Sequence, residues 1–234
     1  MTYDQTRGEV ARSARHLADE GLLIGTAGNV SAVVPDGDLV AVTATGVVLA
    51  RCTPEEVTVV DRSGHVVAGD LASTSEIDLH LSVYRATEAG AVVHTHAPFA
   101  TAVGCVIDEV PVLHYQQMLL GGTVRVAPYA TFGTSELADS VTRALDGRTA
   151  ALMANHGAVN HADSLEKAVE GALLLEWCCR LFHLATSLAG SLPEATARVL
   201  DEQAQHDVVV AALERGYGST KPSTTNPIRR HREI

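Results

Sequence analysis

Apolar and polar positions along the chain change period several times, and the changes divide it into elements. Residues 5–20 carry apolar positions at helical spacing, with Val10, Ala14, Leu17 and Ala18 able to share one face, and Gly21 stops that helix. Residues 22–34, LLIGTAGNVSAVV, read as strand, glycine-bearing turn and strand. Residues 36–50 follow a hairpin signal at Asp36-Gly37 and alternate like a strand, and residues 58–69 form another hairpin around Ser63-Gly64. The Ser/Thr cluster of STSEIDLH predicts a capped helix starting near Thr74 or Ser75.

Residues 91–96, AVVHTH, read as a buried strand, and Pro98 suits the first turn of a short helix after it. GGTVRVAPYA returns to strand character. Thr134 and Ser135 are cap candidates for a helix through residue 145. TAALMANHGAVN is strand, turn, strand; residues 162–188 are a long helix, and residues 194–218 predict another. Neither an internal repeat nor an interior linker interrupts the pattern. The expectation is a single domain over residues 1–217 followed by a loose tail, 218–234. Hairpins interspersed with helices point to an α/β layered fold with a largely antiparallel sheet.

Composition narrows the function classes. Of 234 residues 46% are hydrophobic but only 4% aromatic, so the core is built from Val, Leu, Ile and Ala. The formal net charge of −11 argues against nucleic-acid or anionic-membrane partners. No stretch approaches the roughly 20 apolar residues of a membrane span, and the N-terminal residues lack a signal-peptide pattern. Cys52, Cys105, Cys178 and Cys179 form neither a disulfide framework nor a CxxC knuckle. The reading is a cytoplasmic protein with reduced thiols.

Candidate chemistry centres on His94 and His96. At positions i and i+2 of a strand, side chains point to one face with Cα atoms roughly 6.6 Å apart, close enough for two imidazoles to converge on one ion. Taken alone, the pair serves equally well as two buried, hydrogen-bonded histidines. His156, in NHGAV, ends another apolar strand beside Gly157, a residue that permits a tight turn. Three histidines suit a catalytic metal, because they leave a position for substrate. Glu76, in the first helical turn after STS, is a fourth ligand, a base beside the metal, or a carboxylate placed there by the helix dipole. His80, one turn further on, could pair with Glu76 on one face. TAGNVS, TATG and STS are small polar turns, each ordinary by itself. Together with a helix N-terminus they make a phosphate cradle, and none is a nucleotide-binding loop.

The ordered set GNVS, TATG, STSE, HTHAP, HYQQMLLGG, APYATFGT and NHG resembles the class II aldolase/adducin family, over about residues 7–217. The resemblance implies a three-layer α/β/α fold with a central, largely antiparallel sheet. It implies one divalent metal per subunit, normally Zn2+ (Mn2+ or Co2+ also serving), held by His94, His96 and His156 with Glu76 able to bind it at rest. Phosphate contacts are implied for Gly28, Asn29, Thr45, Gly46, Thr74 and Ser75. So is a C4 homotetramer in which Tyr115 and Phe132 complete a neighbour's site, with Tyr217 as the C-terminal tyrosine covering it. Thr74-Ser75 stands where the family's aldolases have two serines, Asn155 stands where they often have a second histidine, and the tail beyond Tyr217 is unlike theirs.

The implied activity is that of a zinc-dependent aldehyde-lyase. It cleaves a ketose 1-phosphate of the L-fuculose 1-phosphate type into dihydroxyacetone phosphate and an aldehyde through a metal-stabilised enediolate. Glu76 would exchange the carbon-bound proton and a tyrosine, Tyr115 first, the hydroxyl proton. The only lysines, Lys167 and Lys221, lie in no motif, so a Schiff base is not indicated. Glutamate at position 76, where related 4-epimerases carry aspartate, favours cleavage. The alternatives are a pentulose-phosphate 4-epimerase, a 5-deoxypentulose-1-phosphate aldolase, a sugar-phosphate dehydratase, a decarboxylase, or a non-catalytic adducin-like module.

Overall fold

The computed structural model describes residues 3–35, 37–191 and 199–206. Nine strands form one sheet in the order β4-β3-β2-β1-β5-β9-β8-β7-β6. They are β1 Asn29–Val33, β2 Leu39–Thr43, β3 Val57–Asp61, β4 Val66–Ala68, β5 Ala91–Thr95, β6 Glu109–Val110, β7 Val124–Ala127, β8 Ala150–Met153 and β9 Gly157–Ala162. Every neighbouring pair is antiparallel except β7 and β8.

Strand alternation gives the sheet two apolar faces, and helices cover both. Val30, Ala41, Val59, Ala91, Val93, Leu152 and Ala158 join one core with α1 (Tyr3–Asp19), α3 (Pro98–Gly104) and α5 (Leu165–Ser191). Val40, Val42, Val60, Val92, Ala151 and Val159 join the other with α2 (Ile77–Ala86) and α4 (Ser135–Ala144). This is the three-layer α/β/α arrangement. Helix α5 is long and apolar enough, by length and composition, to cross a membrane over Leu165–Gly190, which the sequence reading did not anticipate. Its inner face, Ala168, Ala172, Leu175 and Cys179, is buried in the first core. All four cysteines are free thiols.

The predicted elements form with three differences. The strand expected at residues 22–25 is reduced to an isolated bridge between Ile24 and Ala27. Its backbone is spent on loops instead: the Leu22 carbonyl accepts from His96 N–H (3.1 Å) and the Gly25 carbonyl from Leu49 N–H (3.0 Å). Strand β2 stops at Thr43, and residues 49–51 form a 3₁₀ turn rather than continuing the strand. Helix α2 begins at Ile77, with Glu76 as its N-cap residue rather than a first-turn residue. Thr134 caps α4 as expected, its hydroxyl accepting from Leu137 N–H at 3.3 Å. Of residues 194–218, only 199–206 are described, helical at 202–206. Glu202 there accepts from Thr123 N–H (3.0 Å) and Thr123 O–H (2.6 Å) and pairs with Arg148 at 2.8 Å. Tyr217 and the tail lie outside the described residues.

Candidate metal centre and cavity

Strand β5 sits at the middle of the sheet between β1 and β9, and its C-terminal end gathers the candidate residues. Ala91 and Val93 point to the α1/α3/α5 face, so alternation turns His94 to the α2/α4 face, where it is fully buried. His96 lies just past the strand, held by its bond to Leu22. His156 closes the three-residue turn between β8 and β9, whose registers pair Met153 with Gly157. Asn155 supplies that turn's left-handed residue, φ 55°, a conformation asparagine tolerates. Gly157 therefore serves close approach rather than the turn itself. A Cβ there would lie 2.2 Å from the Thr95 carbonyl oxygen and 3.3 Å from His94 Cε1. Gly28 is constrained similarly: φ is 93°, and a Cβ would lie 2.8 Å from the His94 carbonyl oxygen.

The three rings form a nearly regular triangle with centroid separations of 4.8, 4.9 and 5.1 Å, tilted 58–79° to one another. One nitrogen from each lies within 4.8 Å of the others. His94 Nδ1–H donates to the Ala158 carbonyl at 2.9 Å, which leaves the Nε2 lone pair facing the centre. His96 Nε2 is 3.0 Å from His94 Nε2. Two metal–nitrogen bonds of about 2.0–2.1 Å span such a gap. Glu76 faces the same centre, Oε2 at 3.2 Å from His94 Nε2 and Oε1 at 3.3 Å from His156 Nε2. Three imidazoles and a carboxylate fit a divalent cation of the zinc type.

The electrostatics are those of a compact ligand cluster. Burial alone would raise the Glu76 carboxyl, but charge at His94 and hydrogen bonds from His156, His94 and Asn29 outweigh it and hold the group well below the usual carboxylate range. Burial, then repulsion from His94 and His156, pushes His96 down to about 4, so its ring is neutral at neutral pH and its lone pair is available.

Glu76 is anchored by a layer of polar side chains between β1 and α2. Asn29 and Ser31, two apart on β1, face Glu76, which caps α2, and His80 and Tyr84 within α2, the three spaced four apart. The Asn29 amide nitrogen donates to Glu76 Oε2 (2.8 Å) and Thr74 Oγ1 (3.1 Å). His80 Nε2 bonds to Asn29 Oδ1, and Ser31 Oγ lies 2.7 Å from both His80 Nδ1 and Tyr84 OH. Burial, with His94 charge second, pushes His80 down to about 3. His80 thus faces Asn29 and Ser31 and not the metal centre. It shares a side with Glu76, as i, i+4 spacing suggested, but is not its ligand partner, because Asn29 and Ser31 occupy both its ring nitrogens.

A cavity of about 460 Å³ opens above the cluster, within the range of small-ligand sites. Gly28, Thr45, Gly46, Thr74, Ser75, Glu76, His96 and His156 line it. The three polar turns meet there because Ala44 bridges to Ser73 and Thr45 N–H donates to the Ala72 carbonyl. Asn29 also lines it, but both its amide hydrogens are already given to Thr74 and Glu76. The Thr74 oxygen accepts from Asn29 and from Glu76 N–H (3.3 Å), which leaves its own proton to donate. Neither lysine nor arginine is among the lining residues. Phe132 lines the cavity of its own chain, as do Thr26, Tyr129 and Asn155, which sequence reasoning missed. The TAGN and APYATF motifs that contain Thr26 and Tyr129 were the available signal. Tyr115 is exposed and packs on His114, which also meets Trp177, away from the cavity.

Residues 8–183 match the family described as class II aldolase and adducin N-terminal domain. The chain is 34% identical over 189 residues to a 5-deoxy-D-ribulose 1-phosphate aldolase of Bacillus thuringiensis serovar kurstaki, spanning 80% of this chain and 89% of that one. It is 38% identical over 175 residues to L-fuculose phosphate aldolase of Escherichia coli K12, spanning 74% and 80%. A solved L-fuculose 1-phosphate aldolase superposes with a TM-score of 0.83 at 30% identity, covering 90% of this chain and 96% of that one. With the histidine cluster at the end of its central strand, this chain belongs to the class II aldolase and adducin family.

Proposed function

We propose that the protein is a metal-dependent aldolase that cleaves a ketose 1-phosphate to dihydroxyacetone phosphate and an aldehyde. The observation that carries the reading is the convergence of His94, His96, His156 and Glu76 at a cavity that Thr45, Gly46, Thr74 and Ser75 also line. Those residues and the N-terminus of α2 offer neutral donors to a phosphate. His94, His96 and His156 would hold a divalent cation, which would supply Lewis-acid polarisation of the substrate's C2 carbonyl.

The chain's own groups move the protons. Glu76 gives a proton to C3 as the C3–C4 bond breaks and takes it back in condensation. The C4 hydroxyl proton leaves to solvent through a tyrosine hydroxyl that accepts it while releasing its own, and solvent returns a proton to Glu76; Tyr115 from a second copy is our candidate. Lys167 pairs with Asp163 at 2.7 Å on the surface, far from any Schiff-base role.

Two substrate types stand in the relatives' names, and both carry a methyl group at the end remote from phosphate. L-fuculose 1-phosphate is our first assignment and a 5-deoxypentulose 1-phosphate the second. Tyr129 and Phe132 give the rim an apolar surface for that methyl. Incubation of zinc-loaded protein with each sugar phosphate is expected to release dihydroxyacetone phosphate from at least one, measured by coupled reduction. Isomerised sugar without triose phosphate would instead make the protein an epimerase.

A C4 homotetramer and a cytoplasmic location belong to the same proposal. Tyr115 and Leu119, together with Trp177, Leu184 and Leu188 of α5, are exposed apolar side chains, the composition of a buried interface rather than a solvated surface. Light scattering coupled to size-exclusion chromatography is expected to give four times the 24.6 kDa chain mass; a monomeric mass rejects the shared site.

A further inference from the structure

The polar layer beneath the metal centre has one self-consistent hydrogen-bond direction. Burial pushes the Tyr84 phenol up, against the opposing pull of Ser31 and Arg62, so Tyr84 keeps its proton and has it available for Ser31 Oγ, 2.7 Å away. Ser31 then has its own hydrogen for His80 Nδ1, 2.7 Å away. At the other end, Asn29 spends both amide hydrogens on Thr74 and Glu76, so its Oδ1 must accept, and the partner available is His80 Nε2. The chain of donation runs Tyr84, Ser31, His80, Asn29, Glu76, with one hydrogen per link. It needs a neutral His80 carrying its proton on Nε2.

The direction matters at Glu76. An Asn29 amide free to flip would present oxygen to the carboxyl whenever Glu76 holds a proton. His80 Nε2–H removes that option by occupying Oδ1. Glu76 Oε2 is then always the anchored oxygen. Oε1, buried and facing the cluster with His156 Nε2 at 3.3 Å, is left to exchange a proton.

We infer that His80 is a positioning residue: through Asn29 it fixes Glu76 by Oε2 and leaves Oε1 as the proton-exchanging oxygen. The inference rests on the role proposed for Glu76, and its structural half is separable from it. The strand and helix positions involved carry no metal-binding task, so the effect falls on turnover rather than on metal content.

Three variants and one spectrum test this. His80→Leu keeps bulk and removes the donor, and is expected to lower kcat about 10–100-fold with KM within about twofold and wild-type zinc content. His80→Gln places an amide donor near the Nε2 position and is expected to restore kcat to within a few-fold of wild type. Ser31→Ala, one link further out, is expected to lower kcat less than His80→Leu does. A long-range 1H–15N spectrum of the zinc-loaded wild type is expected to show His80 as the Nε2–H tautomer. An Nδ1–H tautomer overturns the inference whatever the variants do. So does wild-type kcat in folded His80→Leu, a loss that tracks zinc content, or a failure of His80→Gln to recover. A wild type with the Nε2–H tautomer but no cleavage of any ketose 1-phosphate sinks the aldolase reading and leaves the anchoring of Glu76 standing.

Discussion

Replacing His94 with alanine is expected to remove bound divalent metal and to reduce turnover by at least about 1,000-fold. His94 is the fully buried member of the cluster, and its ring touches every other component: His96 at 3.0 Å, Glu76 at 3.2 Å, and the Ala158 carbonyl through Nδ1. Alanine deletes the buried ligand and leaves two imidazoles and a carboxylate at the centre. A Lewis-acid contribution of several kcal/mol at about 1.4 kcal/mol per decade gives the stated loss. The same outcome is expected for His156→Ala, whose ring approaches the centre from the β8–β9 turn. His65 provides the control. It lies on the exposed β3–β4 hairpin beside Asp61, and His65→Ala is expected to leave zinc content and turnover unchanged. Zinc per chain by mass spectrometry, read beside triose-phosphate release, decides the matter. A His94→Ala protein that keeps both metal and activity would remove the imidazole cluster from the mechanism.

Much of this centre is legible in sequence because its parts obey local rules. AVVHTH is apolar for long enough to be a buried central strand, and its first histidine falls on the phase that alternation assigns to the α2 side. Thr134 announces a helix start by its side-chain chemistry, and the Ser63-Gly64 hairpin forms where the pattern places it. The failures share a cause: they depend on where polar groups find partners far along the chain. Leu22–Gly25 has the composition of a strand, yet its carbonyls are taken by His96 and Leu49, so it becomes a brace under the metal centre. The spacing of Glu76 and His80 does put both side chains against the Asn29 amide, but Asn29 and Ser31 occupy both ring nitrogens of His80, so it is not a ligand partner. The layer of Asn29, Ser31, His80 and Tyr84 was readable in principle. Two polar residues alternating in a buried strand, and polar residues four apart in a buried helix, need each other as partners.

Glu76→Gln is expected to separate metal binding from chemistry. The variant keeps the size of the side chain and an oxygen that can face the cluster, and the three imidazoles are untouched, so zinc should remain near one per chain. What disappears is the ability to carry a proton. Such transfers contribute about 100- to 10,000-fold, and kcat for cleavage is expected to fall within that range while KM changes little, because the turns proposed to hold phosphate and the rim are intact. The substitution also tests the anchoring by Asn29. Its amide donates to Oε2 at 2.8 Å, and a glutamine that offers its oxygen to Asn29 must turn its NH2 toward His156, whose Nε2 lies 3.3 Å from Oε1. Where metal occupies His156, that NH2 has no acceptor there, so the glutamine is expected to swing away and to expose the centre to small anions and chelators. Faster removal of zinc by a chelator, alongside slow turnover, is therefore the paired signature. Near-normal kcat in a zinc-replete Glu76→Gln protein would take the proton-transfer role from this residue and reassign it to another group lining the cavity.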